Sequence, residues 1–320
     1  MRAIDAAAPE PVDTLIERAG LAVALAAVRM MGGSYAKRVV VLAGPGNNGA
    51  DGRVAARRLA ERGARVTVLA TDAMPARVPP CDLVIDAAYG TGFHGNWAPP
   101  EVGSTPVLAV DIPSGIDGLT GSCGTGVLPA ECTVTFAALK PGLVVPPGST
   151  FTGALEVADI GLDTSTARAH LVQRDDVARW VPRRDADAHK WRAALWVIAG
   201  SEGMMGAARL AVGAALRTGA GMVYLSTPGA PMDPLMPTEA VGRPVVRGDW
   251  AKVILDDSSR FHAFVVGPGM GRADDTATQI RRFVAACPRP LVIDGDGLFA
   301  LGWGDEGAAP LLRARASSTV

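Results

Sequence analysis

The sequence contains few cysteines and few aromatic residues. Its 320 residues include Cys81, Cys123, Cys132 and Cys287, which form no C-x-x-C pair and have no histidine at metal-ligand spacing. This scatter argues against a structural zinc site and predicts buried or half-buried thiols in a reducing compartment. Aromatic residues make up only 5% of the chain, and the abundance of alanine and glycine favours helices packed closely on sheets.

The chain also lacks an excess of charge and a long apolar run. Its formal net charge is −1, which offers no basic face to nucleic acid and no polybasic patch to a membrane. It has no uninterrupted run of about 18 apolar residues, and its first residues show no basic region followed by an apolar one. We therefore expect a cytoplasmic protein that acts on small molecules, without nucleic-acid or membrane partners.

The pattern of apolar runs predicts two α/β domains in series. Residues 38–43 (RVVVLA) form an apolar run of strand length, and a glycine-rich turn, a helical segment and a second strand follow. This β-α-β unit and its repetition indicate a parallel sheet covered by helices. The polar stretch 163–188 predicts a connection with one short helix, and the strand pattern restarts after it. We expect one domain over 1–162 and a second over 189–320.

The loop GPGNNGADG at 44–52 follows the first strand. Three of its glycines fit G-x-G-x-x-G, which on its own is a weak sign of a dinucleotide-binding turn. Asn47 and Asn48 add amide groups, and Asp51 adds a carboxylate that would repel a bound pyrophosphate. These oxygens favour a hard cation. The structural alternative is an Asx-rich turn in which Asp51 caps the helix.

Two further strands end in acidic residues. Asp86 closes VID before AAYGTG, and Asp111 closes VLAVD before IPSG, a turn that contains Ser114. A single aspartate at a strand end is commonly a turn former. In an open parallel sheet, however, ligands bind beyond the carboxyl ends of the strands. Three such glycine-containing loops with acids or amides therefore predict a common site at one edge of the sheet.

These motifs together resemble the N-terminal domain of the YjeF family, the NAD(P)H-hydrate epimerases. They occur in the family order over essentially all of residues 1–162: ERAG at 17–20, GPGNNGADG at 44–52, DAAYGTG at 86–92, DIPSGIDG at 111–118, TFAALKPG at 135–142 and DIGL at 159–162. One departure is Ala50, where the family usually has glycine; a methyl group is tolerated there if the local φ is negative. The resemblance implies a Rossmann-like three-layer α/β/α domain.

The resemblance also implies a set of site residues. Asn48, Asp86 and Ser114 would coordinate a potassium ion. The hydrate of NADH or NADPH would be held by Asn47, Asn48, Gly49, Ala50, Asp51, Gly90, Thr91, Gly92, Phe93, His94, Gly95 and Asn96. Asp111 would lie against the nicotinamide ring. Interconversion of the R and S forms breaks and re-forms a bond, so Asp111 is the candidate base and acid, or it grips a hydroxyl group instead.

The second half resembles the dehydratase domain of the same family, which has a ribokinase-like fold. The matching segments are HKWRAALWVIAGSEGMMGAARLAVGAALRTGAG at 189–221, VVGPGMG at 265–271 and VIDGDGL at 292–298. The resemblance implies that Ala207 and Gly271 contact the hydrate and that ADP serves the dehydration. The family continues into TPHxGE and GTGD segments that these 320 residues do not contain. We therefore expect a truncated ribokinase-like domain that cannot dehydrate by itself.

The leading hypothesis is epimerisation of the R and S forms of NAD(P)H hydrate, coupled in the family to ADP-dependent dehydration of the S form. The alternatives are a nucleotide- or protein-binding module without turnover and a sugar-kinase-like phosphotransferase. A nicotinamide-dependent dehydrogenase ranks last because the sequence shows no hydride-transfer site. Epimerase relatives are commonly dimeric, which suggests a homodimer. The sequence leaves oligomeric state and the choice between the NADH and NADPH hydrates open.

Overall fold

A computed structural model describes residues 4, 8–92, 95, 97–167, 169–181, 183, 185–302 and 307–320. The chain divides into two compact units, Met1–His170 and Leu171–Val320. The division falls inside the polar stretch 163–188, which also holds the expected short helix, Arg174–Trp180. Each unit contains a parallel sheet, which confirms the α/β class. None of the described helices is long and apolar enough to cross a membrane.

The first unit is built on a six-stranded parallel sheet of order β2-β1-β3-β4-β5-β6. The strands are β1 (Arg38–Ala43), β2 (Arg65–Ala70), β3 (Leu83–Ala87), β4 (Val107–Val110), β5 (Cys132–Phe136) and β6 (Ala154–Ala158). The described helices are α1 (Val12–Met31), α2 (Asn47–Glu61) and the short α3 (Pro141–Val144). All residues of β3 and β4 are buried, as expected for parallel strands covered on both faces.

The two faces of this sheet are covered differently. On one face, Val23 of α1 and Leu59 of α2 join Val41 of β1 in a buried apolar cluster. On the other face, Leu42 packs in a second cluster with Trp97 and with apolar residues of the connecting segments. The sheet is therefore the middle of three layers. In the part of the chain that the structure describes, the third layer consists of connecting segments.

The strand order creates a crevice between β1 and β3. The chain passes from β1 outward to β2 and then crosses back to β3, which pairs with the other side of β1. This is the 2-1-3-4-5 order of doubly wound sheets, distinct from the 3-2-1-4-5-6 order of the dinucleotide-binding fold. Ligands of such sheets bind where the strand order reverses, beyond the carboxyl ends of the strands. In this unit that place is beyond Ala43 and Ala87.

The second unit contains a five-stranded parallel sheet of order β11-β10-β7-β8-β9. Its strands are β7 (Ala194–Ile198), β8 (Met222–Ser226), β9 (Val241–Gly242), β10 (Ala263–Val266) and β11 (Leu291–Ile293). Its described helices are α4 (Arg174–Trp180), α5 (Met205–Arg217), α6 (Trp250–Asp256), α7 (Asp274–Ala286), α8 (Asp296–Leu301) and α9 (Ala308–Arg313). Trp196, Phe264 and Phe283 are fully buried in the larger core. Its strand order reverses between β7 and β10.

Candidate active site

A cavity of about 480 Å³ lies at the carboxyl edge of the first sheet. One wall is apolar and consists of Val12, Leu15, Ile16 and Ala19 of α1 with Phe136, Ile160 and Leu162. The polar lining comes from the start of α2, the segment after β3, the end of β4 and the loop after β5: Asn47, Asn48, Asp51, Tyr89, Thr91, Asp111 and Lys140. The loops that the sequence predicts at one edge therefore do meet there.

Two glycines allow the loop after β1 to pack tightly enough to place the start of α2 at this cavity. A Cβ atom on Gly44 would lie 1.8 Å from the Ala88 carbonyl oxygen, and one on Gly49 would lie 1.9 Å from the Gly44 carbonyl oxygen. Neither position can therefore carry a side chain without a shift of the backbone. Ala50 lies inside α2, and its φ is not among the positive ones, so its methyl group is tolerated.

Asp86 and Ser114 form a buried pair at the ends of β3 and β4. Both residues have 0% exposure. The Ser114 hydroxyl donates to Asp86 Oδ1 at 2.6 Å, and the Ser114 amide donates to Asp86 Oδ2 at 2.9 Å. Burial raises the pKa of Asp86 in spite of these hydrogen bonds. No basic side chain of the described residues pairs with this carboxyl group, an arrangement that a bound cation would compensate.

The Asn48 amide lacks partners although it is buried. Neither its Oδ1 nor its Nδ2 has a hydrogen-bond partner within the described residues. The side chain lies against Gly90, where an added Cβ would be 3.5 Å from Asn48 Cγ. The neighbouring Tyr89 amide donates to Ser114 Oγ at 2.9 Å, so Asn48 and the Asp86–Ser114 pair contact the same short segment. Because an unpaired buried amide costs about 1–3 kcal/mol, Asn48 indicates a ligand.

Asp111 is held in a left-handed conformation and ion-paired to Lys140. Its φ is +65°, and its amide donates to the Val134 carbonyl oxygen at 2.7 Å. Lys140 Nζ donates to Asp111 Oδ1 at 2.5 Å, to Thr135 Oγ1 at 2.8 Å and to the Phe136 carbonyl oxygen at 3.0 Å. Sequence reasoning missed Lys140, although the motif TFAALKPG contains it. A lone lysine just after a buried apolar strand was the available signal.

Asp51 faces the same cavity in very different surroundings. It is 7% exposed, and no hydrogen bond or ion pair within the described chain involves its carboxyl group. Burial, followed by the negative charge of Asp111, raises the pKa of Asp51 to about 8. Asp51 does not cap the helix, because α2 begins at Asn47 with Gly46 as its N-cap. The alternative of a purely capping Asp51 is therefore wrong.

The remaining predicted contacts of the first unit separate into three groups. Asn47, Gly90, Thr91 and Gly92 line the cavity together with Asn48, Asp51 and Asp111. Gly49, Ala50 and Gly95 do not line it; Gly95 packs against Gly124. Phe93, His94 and Asn96 lie outside the described residues. Asp86 and Ser114 lie behind the lining.

In the second unit, the two predicted contact residues follow β7 and β10, the strands between which the strand order reverses. Ala207 is in the first turn of α5, after β7, and Gly271 follows β10. The Ser201 hydroxyl joins the loops by donating to the Gly269 carbonyl oxygen at 2.9 Å. The Gly271 amide donates to Asp296 Oδ2 at 2.8 Å, which fixes that loop to the start of α8. Contact of Ala207 and Gly271 with a ligand stays a prediction.

Comparison with known families agrees with this arrangement. Residues 12–77 and 69–142 match the family described as YjeF-related protein N-terminus, and residues 195–314 match the family described as NAD(P)H-hydrate dehydratase. A solved ADP/ATP-dependent NAD(P)H-hydrate dehydratase from Bacillus subtilis is 22% identical, with a TM-score of 0.37 over 48% of this chain and 52% of that chain.

Curated relatives match over most of the chain. The bifunctional NAD(P)H-hydrate repair enzyme Nnr of Moorella thermoacetica is 33% identical over 91% of this chain and 66% of the relative. The protein of the same name from Hyperthermus butylicus is 34% identical over 90% of this chain and 62% of the relative. The chain thus spans 66% and 62% of their lengths. With a YjeF-related N-terminal part followed by a dehydratase-related part, it belongs to the family of bifunctional NAD(P)H-hydrate repair enzymes.

Proposed function

We propose that the first unit epimerises the R and S hydrates of NADH and NADPH. The observation that carries this proposal is the convergence on one cavity of an unpaired buried amide, Asn48, and two carboxyl groups, Asp51 and Asp111. The apolar wall supplied by α1 and Phe136 suits a nicotinamide ring, and the opposite polar lining suits hydroxyl and amide groups. The family relationship makes the hydrates the expected substrates.

Asp111 is the proposed proton acceptor of this reaction. The carbon that is inverted carries a hydroxyl group, and the bond changes at that carbon require removal and return of the hydroxyl proton. The Lys140 ammonium group lies 2.5 Å from Asp111 Oδ1 and holds the carboxyl group in place at the cavity. Asp111 combines a left-handed backbone with a position in the lining of the cavity. Such strained positions are common in functional sites.

Asn48, Asp86 and Ser114 fit a potassium ion. Their side chains offer amide, carboxylate and hydroxyl oxygens, the ligand type that hard cations prefer. The fit is supported by the unpaired Asn48 oxygen and by the buried Asp86 carboxyl group, which has no basic partner among the described residues. A bound potassium ion would supply positive charge that stabilises ionised Asp86 and attracts oxygen atoms of the nucleotide.

For the second unit we propose the dehydratase class, with ADP as the nucleotide and Ala207 and Gly271 as contacts of the hydrate. The match of residues 195–314 supports this proposal. Addition of ADP to the protein and the S hydrate, with NADH formation followed by its absorbance, tests whether these 320 residues suffice. The homodimer that the resemblance suggests is tested by sedimentation velocity on the same protein.

The epimerase proposal is tested with one purified hydrate epimer in potassium buffer. Chromatography should show that the wild-type protein speeds its conversion into the R and S mixture. The Asp111→Asn variant should lose this activity, whereas Asp82→Asn, at a half-buried carboxylate beside the opposite end of β3, should retain it. Tight binding of the hydrates without faster equilibration would favour a binding module and would contradict the proposal.

A further inference from the structure

The cavity of the first unit contains two carboxyl groups that differ in their partners. Asp111, at the end of β4, is ion-paired to Lys140. Asp51, in the second turn of α2, has neither a hydrogen-bond donor nor a cation as partner among the residues that the structure describes. One carboxyl group thus has an ammonium group as its partner, and the other is largely buried without a partner among those residues.

We propose that Asp51 is the proton-donating catalytic residue of the epimerisation and that Asp111 is its proton-accepting counterpart. The proposal rests on the proposed function of this site and adds to it the second group that the chemistry needs. Both carboxyl groups line the same cavity but come from different elements, a helix and a strand end. They can therefore reach two different atoms of one bound ring.

The other ionisable groups at the cavity do not remove this difference. Burial and the charge of Asp111 raise the pKa of Asp51 to about 8, so it holds its proton at neutral pH. Lys140, after β5, directs its three hydrogen bonds to Asp111, Thr135 and Phe136. The ionisable side chain of the lining after β3 is Tyr89, and α1 contributes only apolar side chains to the lining. On α2 itself, Arg53 donates a hydrogen bond to the Gly44 carbonyl oxygen.

The reaction needs an acid and a base at the same time. The inverted carbon of the hydrate is bonded to both the ring nitrogen and the hydroxyl oxygen. Asp111 removes the hydroxyl proton as the carbon–oxygen double bond forms, the carbon–nitrogen bond breaks, and Asp51 donates its proton to the nitrogen, which keeps the electron pair. The ring is now open and the former ring carbon is an aldehyde.

Rotation of the aldehyde presents its other face to the nitrogen. The nitrogen then attacks the carbonyl carbon and returns its proton to Asp51, while the oxygen takes the proton back from Asp111. The ring closes with the opposite configuration, and both carboxyl groups regain their initial protonation states. No oxidant, reductant or co-reactant is required, and every proton is accounted for by Asp51 and Asp111.

The first test measures the protonation of Asp51 without any substrate. Infrared spectroscopy of the full chain at about pH 7 should show the carbonyl stretch of a protonated carboxyl group that disappears as the pH rises through about 8. The Asp51 signal is the difference between the wild-type and Asp51→Asn spectra, because the buried Asp86 is present in both proteins. It should be unchanged in Glu61→Gln, which alters an exposed carboxylate at the end of the same helix. A wild-type spectrum without an Asp51 signal would overturn the proposal.

The second test measures the pH profile of epimerisation. Wild-type kcat should fall above about pH 8 as Asp51 loses its proton, and Asp51→Asn should lose about 100-fold or more in kcat, as expected for a missing general acid. The affinity for the hydrates should change much less. If Asp51→Asn keeps the wild-type kcat and its alkaline decline, the assignment of Asp51 is overturned while the epimerase function stands. An inactive wild-type protein would instead contradict the proposed function itself.

Discussion

Lys140 Nζ lies 2.5 Å from Asp111 Oδ1, and these side chains are 4% and 15% exposed respectively. The contact joins the end of β4 to the loop after β5 across 29 residues of sequence. Thr135 Oγ1 and the Phe136 carbonyl oxygen accept the other hydrogen bonds of the ammonium group, so the lysine is fully paired. The pair therefore fixes the position of the carboxyl group that we propose as the base.

Replacement of Lys140 by methionine should destabilise the first unit and abolish epimerisation. The substitution leaves a largely buried carboxylate without its counter-charge, which costs about 3 kcal/mol in comparable buried pairs. Urea denaturation measures the loss. The double variant Lys140→Met with Asp111→Asn should recover most of the stability and none of the activity. A single variant as stable as the wild type would show that the pair is not coupled in this way.

Replacement of Asn48 by alanine should impair function without destabilising the protein. The Asn48 amide is buried and unpaired in the absence of ligands, so its removal takes away a desolvation cost and places a better helix former in the first turn of α2. We expect an unchanged or higher melting temperature and a loss of about 10-fold or more in affinity for the hydrate. A variant with a lower melting temperature and normal affinity would show that Asn48 is structural.

Replacement of Asp86 by asparagine should abolish the stabilisation of the protein by potassium ions. Potassium chloride should raise the melting temperature of the wild-type protein more than choline chloride at the same ionic strength, because the ion binds the native state. The difference should vanish in Asp86→Asn. Asp82→Asn, beside the amino end of the same strand, serves as the matched control. This variant should keep the difference between the two salts. Equal effects of both salts on the wild-type protein would contradict the potassium site.

Replacement of Gly49 by alanine should destabilise the loop that carries the site. The added Cβ would lie 1.9 Å from the Gly44 carbonyl oxygen, and backbone must move to relieve the overlap. We expect a loss of about 2 kcal/mol or more. Gly46→Ala is the control, because its Cβ would meet open space and its φ of −85° suits any residue. Similar unfolding free energies for the two variants would argue against this packing.

The stability of the protein should fall as the pH rises towards 8, in part because of Asp51. Its pKa rises from the ordinary 3.8 to about 8 on folding, so between these values the native chain holds a proton that the unfolded chain has lost. The contribution of Asp51 to the free energy of unfolding is therefore complete below the ordinary pKa and is lost as the pH reaches the pKa of the folded protein. Between the two values, this free energy falls by at most about 1.4 kcal/mol per pH unit.

Comparison of the wild type with Asp51→Asn isolates this contribution. Burial raises the pKa of Asp86 as well, so that residue contributes with the same sign in both proteins. Urea denaturation between about pH 5 and pH 8 should therefore show a shallower decline for the variant. Parallel declines in the two proteins would show that Asp51 is ionised in the native state at neutral pH.

Several features of the site follow directly from the order of residues along the chain. The apolar runs of β1, β3 and β4 predict buried parallel strands, because only a sheet covered on both faces accommodates continuous apolar segments. The polar residues after these strands had to reach the same edge, because parallel strands all end on one side. The glycines of GPGNNGADG predict a tight turn before a helix; Gly49 meets the nearby Gly44 carbonyl oxygen, whereas the contact of Gly44 with Ala88 is distant in sequence.

Other features depended on the fold. The order β2-β1-β3 locates the crevice, but strand order is not encoded in the periodicity of any single strand. The ion pair of Asp111 with Lys140, the missing partners of Asn48 and the burial of Asp51 arise from segments that are distant in sequence. The protonation of a carboxyl group depends on its desolvation and on nearby charges, and both are set by tertiary packing. The sequence alone thus determined which chemical groups reach the edge of the sheet, whereas the tertiary structure decided which of them are charged, paired or left for a ligand.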